Sequence, residues 1–85
     1  MLDLVDSFPS LRGKFSHWDA LEFEEWACSP EPSSGMRHAA RFILEVWNPY
    51  DEWKCGRFDW QRAIGMWDER HRNAFIAWLQ DPFFP

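Results

Sequence analysis

Two proline-containing breaks isolate a stretch of chain whose apolar spacing fits only a helix. Pro30, Pro32, Ser33, Ser34 and Gly35 interrupt the chain on one side, and Asn48, Pro49 and Tyr50 on the other. Proline removes a backbone donor and glycine relaxes the dihedral limits, so regular structure ends at both places. Between them Met36, Ala39, Ala40, Ile43, Leu44 and Trp47 recur at three- and four-residue intervals, with Phe42 and Val46 widening the same face. That is the α-helical period. Arg37, His38, Arg41 and Glu45 occupy the opposite arc, leaving an apolar face over more than half the circumference, which puts this helix at the centre of the fold. Ser33 or Ser34 can cap its first turn, and Pro49 forbids its continuation past Asn48.

A second helical pattern follows Asp59, a good N-cap residue, and runs through Trp60, Ala63, Ile64, Trp67, His71, Ala74, Phe75 and Trp78. These eight fall within about one third of a helical wheel. The pattern predicts one helix from Trp60 to the stop at Pro82, with a bend near Gly65; Asp68 and Glu69 are the place where a fresh start would be capped. Packing the two helices buries Ala39, Ala40, Ile43 and Trp47 against Trp60, Ile64, Trp67 and Phe75, the alanines permitting close approach.

The first thirty residues are less periodic. Ser16 with Asp19 three residues on resembles a capping box and predicts a helix from His17 to Cys28, although Trp18, Leu21, Phe23 and Trp26 are spread around it. Leu2, Leu4, Val5 and Phe8 form either a short opening helix stopped by Pro9 or an extended arm. No pair of alternating runs flanks a tight turn, so no sheet is expected. The fold class that follows is all-α: one domain over residues 1–85, a small helical bundle of three to four helices with an aromatic-rich core. Eighty-five residues suffice for one core and not two, and the seven Trp, eight Phe and one Tyr supply the bulk that a small domain needs.

Charge and cysteine usage narrow the partners. The whole net charge of −5 resides in residues 1–32, where seven acids face only Arg12 and Lys14; the rest of the chain is balanced. Such a surface repels phosphate backbones and makes nucleic acid a disfavoured partner. Cys28 and Cys55 fall short of a secreted disulfide framework, no basic start precedes an apolar run, and no stretch approaches the roughly 18 apolar residues of a membrane span. A cytoplasmic protein with reduced thiols and no membrane contact is expected.

Few side chains carry the spacing of a named chemistry. His17, His38 and His71 with Cys28 and Cys55 offer enough ligand atoms for zinc, but the nearest Cys and His lie ten residues apart, so neither a metal nor another cofactor is expected. Cys55, beside Lys54 and Arg57, is the better candidate nucleophile if a histidine reaches it. His71 sits within the apolar stripe, either as a buried imidazole donating to a carbonyl or carboxylate or as a proton-sensitive switch. Arg37 and Arg41, one turn apart, can meet a phosphate or a partner's carboxylate, or simply pair at the surface.

Sixteen rings are hard to bury completely in a domain of this size. Trp53 and the terminal Phe83 and Phe84 belong to no helical stripe; they either plug the end of the core or form a contact patch. The function expected is a non-enzymatic protein-interaction module, a small adaptor or regulator that meets a protein partner or a second copy through aromatic and mixed-charge surfaces, with Trp53, Phe83, Phe84, Arg37 and Arg41 as contacts. The alternatives are a small enzyme using Cys55 or a histidine, and a nucleic-acid-binding regulator docking its last helix through Arg62, Arg70 and Arg72.

Overall fold

A computed structural model describes residues 1–82. Among them are five helices and no strand: α1 Leu2–Ser7, α2 Ala20–Cys28, α3 Ser34–Trp47, α4 Trp60–Met66 and α5 Glu69–Gln80. No described helix is long and apolar enough to cross a membrane. The all-α expectation holds, and the count exceeds the three to four expected because α1 forms and the last helix is divided.

Four of the five helices start on a side-chain cap. The Ser33 hydroxyl accepts the Met36 N–H at 3.3 Å, and the Met36 sulfur accepts the Ser33 N–H at 3.5 Å, a box in which a thioether replaces the usual glutamate. Asp59 caps α4 through the Arg62 N–H, and Asp68 caps α5 through the His71 N–H. Asp19 rather than Ser16 caps α2: its carboxylate takes the N–H groups of Leu21 and Glu22 and leaves residues 17 and 18 outside the helix. That later start frees the Trp18 ring to pack 5.1 Å from Phe23 and 5.5 Å from Trp47.

The long last helix is corrected at Trp67, not at Gly65. Trp67 leaves the helical region for an extended conformation (φ −75°, ψ 145°), and Asp68 restarts the chain as α5. The break turns the Trp67 ring inward, where it is 4% exposed and its indole N–H donates to the Gly35 carbonyl at 3.0 Å. A continuous helix would leave that carbonyl, at the start of α3, without this donor. Gly65 instead sits in α4 with open space beside it.

The core is also arranged differently from the expected pairing. Ala39, Ala40, Ile43 and Trp67 are buried as anticipated, but Trp47 and Trp60 are 38% and 58% exposed, and α5 has no fully buried residue. The N-terminal segment takes the space: Leu4, Val5, Phe8 and Leu11 are all 5% exposed or less. Phe8 lies 5.9 Å from Phe42 and 5.4 Å from Trp67, closing the end of the core between α3 and the Trp67 corner. Two aromatic clusters result. Phe15, Trp18, Phe23 and Trp26 gather around α2, whereas Phe42, Phe58, Trp67, Phe75 and Trp78 gather between α3 and the C-terminal pair of helices.

Candidate functional site

The second aromatic cluster is not closed over. Between α3, α4 and α5 lies a groove of about 280 Å³ lined by Phe42, Val46, Phe58, Trp60, Phe75 and Trp78. Phe42 forms its floor at 3% exposure, with Phe75 edge-on at 5.1 Å and Phe58 at 5.2 Å. Trp60, the first residue of α4, stands at the rim, and Leu79 and Ile76 on α5 are exposed at 52% and 42%. One charged residue lines the groove: Glu45, which pairs with Arg57 at 3.3 Å.

The anticipated contact residues are not gathered in one place. Trp53 is half-buried against the core, and its indole donates to the Asn48 carbonyl at 3.1 Å, so it braces the 48–58 loop. Phe83 and Phe84 lie outside the described residues. Arg37 and Arg41 do share one face of α3, where they line a second cleft, between α3 and α4. Arg62 stands on α4 while Arg70 and Arg72 belong to α5, so the break at Trp67 divides the arginine row of the nucleic-acid reading.

The cysteines and histidines are dispersed. Among the described residues no group of three or more metal-ligating side chains comes together. Both thiols are free, with Cys28 exposed. Burial, helped by the nearby Cys28 and only partly opposed by Arg41, pushes the Cys55 thiol up to about 11, which keeps it protonated and weakly nucleophilic at neutral pH.

His71 has partners that the sequence pattern did not expose. Its Nδ1 lies 2.7 Å from Asp68 Oδ1 and its Nε2 2.8 Å from Ser10 Oγ, across 61 residues of chain. The Ser10 backbone N–H also donates to Nε2, at 3.2 Å. An N–H can only donate, so Nε2 is the acceptor and Nδ1 carries the proton toward Asp68. The Asp68 contact is thus a hydrogen bond donated by Nδ1 to the carboxylate. It holds the Asp68 carboxyl below its usual value, the His71 side chain acting first and the His71 backbone N–H second. The His71 side chain is 13% exposed, matching the reading of a largely buried imidazole that donates to a carboxylate.

The second cleft, of about 380 Å³, separates α3 from α4. Arg37, His38 and Arg41 line it from α3, and Arg62 from α4. His38 is 6% exposed, and its side chain makes no hydrogen bond among the described residues; its Nδ1 is buried. Desolvation, then the positive charge of Arg41, lowers its pKa, with Asp59 opposing and Arg62 adding to the effect.

Comparison with family models, curated proteins and solved structures finds no match to the chain.

Proposed function

We propose that the chain is a non-enzymatic protein-interaction module whose α3–α4–α5 groove receives an apolar or aromatic side chain of a basic partner protein. The supporting observation is the groove itself: six apolar and aromatic side chains converge on an open cavity while Trp60 remains 58% exposed at its rim. Open aromatic pockets of this kind are where binding energy concentrates in protein interfaces. The net charge of −5, carried by residues 1–32 rather than by the groove, repels a second copy of the chain at long range and draws a basic protein toward it.

The test compares the parent with Trp60→Ala, a change at an exposed ring that leaves the melting temperature within a few degrees. Capture from native lysate, with proteins identified by mass spectrometry, should return a basic partner that is retained by the parent, released by salt and lost with Trp60→Ala. Equal capture by both proteins, or a groove-dependent homodimer in sedimentation, refutes the proposal.

One observation favours a second reading, acyl-ester hydrolysis by Ser10, His71 and Asp68. The Ser10 Oγ–His71 Nε2 and His71 Nδ1–Asp68 contacts reproduce the order nucleophile, base, orienting acid. The competing Ser10 N–H on Nε2 gives the imidazole a tethering role and ranks this reading second. A fluorophosphonate probe should label Ser10 and spare Ser10→Ala; absence of labelling at Ser10 removes the reading.

A further inference from the structure

The cleft between α3 and α4 has a character that the aromatic groove lacks. On an acidic chain it gathers three arginines, and Arg37 and Arg41 form no ion pair among the described residues. Each is fixed by a carbonyl instead. Arg37 Nη2 donates to Ser29 O at 2.7 Å and Arg41 Nε to Cys55 O at 2.6 Å. A carbonyl holds a guanidinium in place without neutralising it, and the remaining N–H groups stay available in a planar fork. Gly65, opposite on α4, has no side chain to fill the cleft.

His38 is the second, independent observation. It lines the same cleft, is more than nine-tenths buried, and its buried Nδ1 has no hydrogen-bond partner among the described residues. Buried polar groups are nearly always partnered, so an unpartnered imidazole beside uncompensated arginines points to a missing acceptor. We propose that this cleft binds a phosphate dianion, free or as a monoester, held by Arg37, Arg41 and Arg62 with His38 beside them. Arginine forks match phosphate oxygens bidentately, and a cavity of about 380 Å³ admits a small phosphorylated molecule. The proposal is independent of the aromatic groove.

The charged groups facing His38 are Arg41 on its own helix and Asp59 and Arg62 from the start of α4. A bound dianion adds negative charge beside the ring and favours the protonated imidazole, so binding is measured at a fixed pH of about 7.5, where a phosphate monoester carries both charges.

The test is a titration of the isotopically labelled full chain with inorganic phosphate and with glycerol phosphate, at ionic strength matched by sodium chloride, read by heteronuclear NMR. The His38 ring signals and the arginine Nε signals should shift saturably, while those of the exposed His17 should not. Tighter binding of the ester assigns the site to a phosphorylated metabolite, and equal binding assigns it to free phosphate; both support the proposal. Arg62→Gln should weaken binding about tenfold, the loss of one charge-assisted hydrogen bond. Its side chain is mostly in water, so this variant remains informative if Arg41→Gln fails to fold. A His38 response equal to that of chloride alone, or an unchanged affinity in Arg62→Gln, overturns the proposal.

Discussion

His38 shows how one side chain can work against the fold that buries it. The helical wheel places it on the polar arc of α3 with Arg37 and Arg41, yet it is 6% exposed because α4 packs over that arc. Periodicity describes one helix at a time and is blind to a neighbour supplied by residues twenty positions later. The same limit hid the partners of His71: Asp68 is one turn away and legible as a cap, but Ser10 comes from the other end of the chain. Burial lowers the His38 pKa, so the unfolded chain binds more protons than the fold between the folded pKa and the ordinary value of 6.5. Its contribution is full above 6.5 and is lost as the pH falls below it. Urea midpoints measured at pH 7.5 and 5.5 should fall on acidification for the parent and fall less for His38→Gln. A second loss, lower in pH, comes from Asp68, whose depressed carboxyl stabilises the fold above its ordinary value of 3.8 and ceases to as protonation proceeds. Equal acid limbs for parent and His38→Gln would remove the imidazole from the account.

At the scale of elements, α3 was the most legible piece, because two prolines and a full apolar face define it independently of its neighbours. Its cap, its end at Asn48 and its central position agree with the pattern. The C-terminal helices were legible as apolar stripes but not as two bodies, since eight residues on one wheel arc satisfy either a continuous helix or two helices separated at Trp67. Asp68 carried the deciding signal, a cap followed by an acidic first turn, whereas Gly65 drew attention to a bend that does not occur. The groove was hidden for a related reason: it depends on the angle at which α5 leaves Trp67, which no one-dimensional period encodes. Gly65 makes a test at this scale. It lacks a positive φ, and a Cβ built on it meets nothing within 4 Å. Gly65→Ala should therefore raise stability by about 0.4–1 kcal/mol through reduced freedom of the unfolded chain. The check is the urea midpoint at constant slope. A fall in that midpoint would mean that α4 bends at Gly65 after all.

For the molecule as a whole, the balance rests on the N-terminal segment. The described structure is nearly isotropic, 27 × 27 × 26 Å with a radius of gyration of 11.6 Å, close to the ~12 Å of a compact chain of this length. Among the described residues, four of the fourteen buried apolar ones, Leu4, Val5, Phe8 and Leu11, precede α2. The same segment is tied to the far end of the chain through Ser10 and His71, so removing its contacts opens the core from both termini. Total stability for 85 residues is roughly 4–13 kcal/mol at about 0.05–0.15 kcal/mol per residue. Truncating a fully buried phenylalanine costs about 3–5 kcal/mol, a large share of that total. Phe8→Ala should therefore lower the melting temperature by roughly 15–30 °C, and on the weaker estimate leave the chain largely unfolded at room temperature. Tyr50→Ala, at a ring 94% exposed, is the control and should change stability by less than about 0.5 kcal/mol. Thermal unfolding followed by circular dichroism separates the two. If Phe8→Ala melts within a few degrees of the parent, the N-terminal segment is an appendage, and the core must close on α2, α3, α4 and α5 alone.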